Sequence, residues 1–167
     1  TRNPELGKCK TRLAAEVGDH TALEIYKFLL AHTVKITKDL TVDKEVHYSV
    51  KVRDHDLWDK DIYAKKQQQG EDLGLRMEYA FAQGFKNGYQ NIVIIGSDIY
   101  DLEQKDIEKA FSALQTHDYV IGPALDGGYY LFGMKSLNSH VFRNKNWGTE
   151  TVFQDTLKDI DHKDVKI

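Results

Sequence analysis

The chain has 167 residues, about the size of one α/β domain, and its 41% apolar and 29% charged residues are ordinary globular usage. A net charge of −3 gives no overall pull toward nucleic acid or an anionic membrane, so any bound anion must be held by a local basic cluster. One cysteine, Cys9, excludes a disulfide framework and a multi-cysteine zinc site within the chain, and no apolar run approaches the roughly 20 residues that span a bilayer. With no visible signal peptide, the expected compartment is the reducing cytoplasm.

Thr1 to Pro4 reads as a loop and Gly7 to Arg12 as a basic, polar stretch. Thr21-x-x-Glu24 has the form of a capping box opening a helix, with Ala22, Ile25, Leu29, Ile36 and Leu40 roughly on one face. Lys44 to Val52 alternates and reads as a strand, and Arg53 to Gly70 is polar and irregular. Glu71 to Asn87 is a helix with Leu73, Met77, Ala80 and Phe81 on its inner face, stopped by Gly88.

The unbroken apolar run in Asn91 to Ser97 predicts a strand buried on both faces, as in a parallel sheet. Asp101-x-x-Gln104 then caps a helix carrying Ile107, Phe111 and Leu114. Tyr119 to Ile121 and Gly128 to Met134 are further strands, and Thr149 opens a last helix with Val152, Phe153, Leu157 and Ile160. Helices alternating with strands imply a mostly parallel central sheet covered on both sides. Residues 1–167 form a single domain in this reading, without a linker or repeat. It is expected to lack its first strand, before Thr1, and its C-terminal end.

Five segments could carry chemistry. Gly7-Lys8-Cys9-Lys10-Thr11-Arg12 places three cations after a glycine, where backbone N–H groups and basic side chains could hold phosphate. A solvated surface turn is the alternative, and Cys9 stands where a P-loop needs Ser or Thr. Gly96-Ser97-Asp98 follows a buried strand, and ligands of open α/β sheets bind beyond carboxyl strand ends. An Asp there can hold Mg²⁺ beside substrate phosphates, or serve only as a turn or cap.

Asp126-Gly127-Gly128-Tyr129 allows a turn with positive φ and close approach of a ligand, but Asp-Gly is also the commonest hairpin signal. Asp98 and Asp126, each ending a short strand, are together candidates for one shared cation, Mg²⁺ or Mn²⁺. Gly74, in the first turn of the helix after Asp72, costs roughly 1 kcal/mol against Ala and implies close approach of backbone or ligand. Trp147-Gly148-Thr149-Glu150 offers either a pocket wall or part of the core.

Taken in order, Arg2 to Leu13, Asp72-Leu73-Gly74, Gly96-Ser97-Asp98, Asp126 to Leu131 and Trp147 to Thr151 resemble the motifs of the bacterial radical-SAM/selenodomain-associated transferases. The resemblance covers nearly the whole chain. It implies a nucleotide-diphospho-sugar transferase (GT-A) fold, a three-layer α/β/α sandwich, with distant similarity to 2-phospho-L-lactate guanylyltransferase. By this resemblance Lys8, Lys10 and Arg12 hold phosphates, with Gly7, Asp72, Gly74 and Ser97 on the nucleotide side. Asp98 and Asp126 hold the metal; Gly127, Gly128, Tyr129, Trp147, Thr149 and Glu150 are candidates for the acceptor side. Tyr100 stands where the family usually has Pro, and there is no Asp-x-Asp motif, the next carboxylate being Asp101.

The function implied is metal-dependent glycosyl or nucleotidyl transfer from a nucleotide or nucleotide-sugar donor to a small acceptor. The alternative is a non-catalytic nucleotide-binding or scaffolding protein that keeps the fold.

Overall fold

The computed structural model of the protein describes residues 1–160 and 164–167. The chain divides into two compact units, Thr1–Gln68 with Ser97–Gln104, and Gln69–Gly96 with Lys105–Ile167.

The first unit contains α1 (Thr11–Val17), α2 (Asp19–Thr37), β1 (Lys44–Tyr48) and β2 (Tyr63–Gln67). β1 and β2 pair in parallel, with Lys44 opposite Tyr63 and Tyr48 opposite Gln67. The expected capping box does not form. Gly18, at φ 83°, separates α1 from α2, so α2 already runs from Asp19 and its first helical bond joins the Ala22 N–H to the Gly18 carbonyl. Glu24 pairs with Lys27 instead.

The inner face of α2 is Ala22, Tyr26, Leu30, Thr33, Ile36 and Thr37, whereas Ile25 is exposed. Two threonines can be buried there because their hydroxyls donate to helix carbonyls, Thr33 to Leu29 and Thr37 to Thr33. β2 is hidden in the sequence because Tyr-Ala-Lys-Lys-Gln is mostly polar. Tyr63 points inward onto Trp58, and Lys65 buries its stem while its ammonium donates to Asp56 and to the Arg53 and Asp54 carbonyls.

The second unit contains α3 (Leu73–Lys86), β3 (Ile92–Ile95), α4 (Gln104–Ala113), whose first residue belongs to the first unit, β4 (Tyr119–Pro123), β5 (Tyr129–Met134), a 3-10 turn (Ser139–Phe142), α5 (Val152–Lys158) and β6 (Val165–Lys166). The sheet order is β3-β5-β4-β6. The fold is α/β as expected, but this sheet is small and mixed rather than mostly parallel. β5 runs antiparallel to both β3 and β4, and only the β4–β6 pair is parallel. The reason is the connection: the five residues Ala124 to Gly128 can close a hairpin but cannot supply the long crossover that a parallel pair needs.

Alternation along β4 and β5 sends side chains to two cores. Ile121 and Phe132 join Met77, Phe81, Phe142 and Leu157, which come from α3, the 3-10 turn and α5. Val120 and Leu131 join Ala110 and Leu114 of the α4 segment. The second unit is thus helix–sheet–helix. β3 is only partly buried, not buried on both faces, because it is an edge strand.

Helix starts also differ from expectation. α4 begins at Gln104, three residues after Asp101, and α5 begins at Val152, three after Thr149. Leu73 is half exposed, and Gly84 rather than Ala80 completes the buried face of α3. Among the described residues no helix is long and apolar enough to cross a membrane.

Candidate functional site

In the first unit the basic loop turns tightly before α1. Gly7 has φ 68°, and Lys10 has φ 49° and ψ 45°, a left-handed conformation that a side chain adopts at a cost of about 1–2 kcal/mol. Cys9 is buried by this turn, its thiol donating to the Glu5 carbonyl. The three cations therefore separate. Lys8 pairs with Glu5 at 3.0 Å, and Arg12 is exposed and makes no ion pair among the described residues. The Lys10 ammonium reaches the Asp98 carboxylate at 2.5 Å.

Ser97 and Asp98 belong to this unit through two anchors, the Lys10 pair and a hydrogen bond from the Thr33 hydroxyl to the Ser97 carbonyl at 2.9 Å. A cation and a carboxylate from segments almost 90 positions apart thus meet on one surface. The sequence reading put both residues in the site but did not pair them.

In the second unit the Asp126 turn is the tip of the β4–β5 hairpin. The exposed Asp126 carboxylate accepts the Gly128 N–H at 3.1 Å, an Asx turn. Gly127, at φ 83°, lies so close to the backbone of Glu150 that a Cβ would stand 2.5 Å from its carbonyl carbon. Its own carbonyl accepts the Phe153 N–H at 2.9 Å, satisfying one of the free donors at the start of α5. The Asp126 turn and the Trp147–Thr151 segment, read separately from sequence, form one contact.

Gly74 has a packing reason as well. A Cβ there would stand 2.5 Å from Nε1 of Trp147 and would also strike the Phe142 carbonyl. Asp72 caps α3, its carboxylate accepting the Leu75 N–H at 2.8 Å. Trp147 packs edge-on against Tyr129. The Tyr129 phenol is held above its usual pKa by burial; the Thr156 hydroxyl is near it but outside hydrogen-bonding geometry, and both oxygens are buried without a partner. The Thr149 hydroxyl donates to the Asn146 carbonyl, and the Glu150 side chain is exposed.

Among the described residues no group of three or more His, Cys, Asp or Glu side chains could form a metal cage. A hard cation such as Mg²⁺ takes one or two protein carboxylates and leaves its other positions to phosphate and water, and Asp98 and Asp126 are the candidates of that type.

Residues 31–149 match the family DUF2064, described as an uncharacterized protein conserved in bacteria. The chain belongs to this family. A crystal structure from Desulfovibrio desulfuricans G20, named a "putative nucleotide-diphospho-sugar transferase", is similar at TM-score 0.84 and 37% identity, covering 95% of this chain and 71% of the other. No curated protein matches the chain. The DUF2064 match contains Asp72, Gly74, Asp98, the Asp126 turn and Trp147, while Lys8, Lys10 and Arg12 precede it.

The sequence reading missed Phe28, His32 and, as a contact residue, Tyr100. On α2, Phe28, Ala31, His32 and Lys35 follow i, i+3, i+4, i+7 spacing, a stripe that periodicity could have found. The stripe lies off the buried face of α2, so it carries no core signal.

Proposed function

We propose that this DUF2064 protein transfers a sugar from a nucleotide-diphospho-sugar to a small acceptor in the cytoplasm, where such donors are made. The single observation that carries the reading is the Lys10–Asp98 pair. It joins a cation suited to phosphate and a carboxylate suited to a divalent ion on one surface of the first unit. The similarity at 37% identity to the Desulfovibrio desulfuricans protein supports the donor class.

In the reaction, an acceptor oxygen forms a bond to the anomeric carbon. The bond from that carbon to the diphosphate oxygen breaks, its electron pair leaves with the nucleoside diphosphate, and the acceptor proton passes to solvent. Lys10 and the exposed Arg12 neutralise the phosphate charge that grows as the nucleoside diphosphate leaves. Asp98 would hold Mg²⁺ or Mn²⁺, which as a Lewis acid stabilises the same charge. Asp126 is a second candidate ligand, to be tested on its own. Lys8, already paired with Glu5, is the weakest of the three basic candidates.

The test is release of nucleoside diphosphate from UDP-, GDP- and dTDP-sugars with Mg²⁺ or Mn²⁺. At least one donor should turn over, Asp98→Asn should abolish it, and Asp126→Asn decides the role of Asp126. Pyrophosphate release from a nucleoside triphosphate would instead mean nucleotidyl transfer. Binding of nucleotide without any release would mean the chemistry is lost and the fold serves as a binding module.

A further inference from the structure

The outward stripe of α2 and the segment after Asp98 flank an open cleft of about 530 Å³ within the first unit. That lies within the roughly 300–1,000 Å³ of small-molecule sites. Its walls are Phe28, Ala31, His32 and Lys35 from α2, and Tyr100, Asp101 and Glu103 from the other segment. Tyr100 leans over two α2 rings, its centroid 5.9 Å from Phe28 and 5.7 Å from His32. Yet Tyr100 is 61% and Phe28 57% exposed. Core packing does not account for two adjacent aromatic rings that leave more than half of their surface in water.

The polar groups are as specific as the rings. Nε2 of His32 lies 2.9 Å from the Leu102 carbonyl. A carbonyl only accepts, so Nε2 carries the hydrogen, and in the neutral ring Nδ1 is left as an acceptor. Lys35 and Asp101 are exposed and form no ion pair among the described residues. The rim therefore offers an ammonium donor, a carboxylate acceptor and an imidazole beside an aromatic floor. Mixed signs disfavour a strongly charged occupant, since either Lys35 or the carboxylates Asp101 and Glu103 would repel it. They suit a neutral ring with hydroxyl groups, which donate to carboxylate and accept from ammonium while the C–H face of the ring lies on Tyr100 and Phe28.

We infer that this cleft binds a neutral hydroxylated ring, a sugar or cyclitol, and is the acceptor subsite of the transfer; the word acceptor rests on the function proposed above, the binding does not. Tyr100 is two residues beyond Asp98, so an occupant of the cleft is brought to the segment that carries the proposed metal ligand. Tyr100 and Phe28 are its positioning residues.

Saturation-transfer NMR tests the cleft with methyl β-glucopyranoside, methyl α-mannopyranoside, N-acetylglucosamine and myo-inositol, without donor or metal. At least one probe should receive saturation on its C–H protons. Its dissociation constant should weaken about five- to tenfold in Tyr100→Ala and in Phe28→Ala, the range of a lost ring contact, and recover in Tyr100→Phe. Both positions are exposed, so melting temperatures should hold and loss of binding will not mean loss of fold. Absence of saturation for all four probes, or binding undiminished in Tyr100→Ala, overturns the inference. A concentration-dependent dimer that Tyr100→Ala dissociates also overturns it, since a second copy would then cover the rings. Donor turnover with no ring binding would sink the cleft alone, and ring binding with no donor turnover would sink the proposed function alone.

Discussion

The Lys10 ammonium lies 2.5 Å from Oδ2 of Asp98, and each side chain is about one-third exposed. A divalent cation on that carboxylate would stand about 2.1 Å from an oxygen. Ammonium and metal therefore compete for the same acceptor unless a phosphate draws Lys10 away. Lys10→Met should tighten Mn²⁺ binding in the absence of nucleotide by about two- to fivefold, the range of a partly exposed ion pair. It should weaken nucleotide-sugar binding at the same time. Mn²⁺ titration by electron paramagnetic resonance reads the first effect and calorimetry the second. Unchanged Mn²⁺ affinity in both Lys10→Met and Asp98→Asn would remove Asp98 from the metal site.

Arg12→Ala should leave stability within about 0.5 kcal/mol, because Arg12 is exposed and unpaired among the described residues. If Arg12 contacts phosphate, the same variant should lose about 1.5–3 kcal/mol of nucleotide affinity. Urea unfolding and calorimetry on one preparation separate the two. A surface turn with no ligand predicts no change in either.

The pair Asp56–Lys65 should give the first unit an acid-sensitive step. Burial alone would raise the Asp56 carboxyl, but hydrogen bonds from Lys65, Tyr48 and the Trp58 N–H together outweigh it and hold its pKa below the usual value. A depressed carboxyl favours the folded state fully above its unfolded pKa of about 3.9. That stabilisation fades as pH falls below this value toward the lower folded pKa. Asp56→Asn should cost about 1.5–3 kcal/mol at neutral pH, because it removes the charge that faces the Lys65 ammonium while the Arg53 and Asp54 carbonyls still accept from it. Its acid transition should flatten. Trp58, in the same core, is a natural fluorescent reporter.

Gly127 and Gly148 form a controlled comparison. Both have positive φ, 83° and 85°, but a Cβ on Gly127 strikes the Glu150 backbone while one on Gly148 meets nothing within 4 Å. Gly148→Ala should cost about 1–2 kcal/mol from backbone conformation alone. Gly127→Ala should cost distinctly more and lower the helix signal as α5 loses its contact. Equal costs in urea unfolding would show that the Gly127 contact is not tight.

Gly74→Ala puts a better helix former into α3, which by propensity alone would stabilise by about 1 kcal/mol. The Trp147 contact predicts the opposite sign, a net loss with a shift in Trp147 emission. A stabilised variant with unchanged emission would mean the glycine serves something other than packing.

Much of the local structure was legible in the sequence. The periodicity of Met77 and Phe81 marks α3, and the apolar run of Ile92 to Ile95 marks β3. Such signals are local, since side chains three or four apart on a helix share one environment. The composition of β2 concealed it, because a lysine whose stem is buried beside a satisfied ammonium looks polar on paper. The direction of β5 was decided by the length of the turn before it, a fact about chain closure rather than residue preference.

For the site, the sequence determined which residue types were at hand: Lys10, Asp98, the Asp126 turn, Gly74 and Trp147. Only the tertiary structure decided who meets whom. It paired Lys10 with Asp98, set Gly74 under Trp147 and Gly127 against Glu150, and left Tyr100 and Phe28 uncovered side by side. A pairing between distant positions depends on the path of the whole backbone, and no local pattern of charge or hydropathy encodes that path.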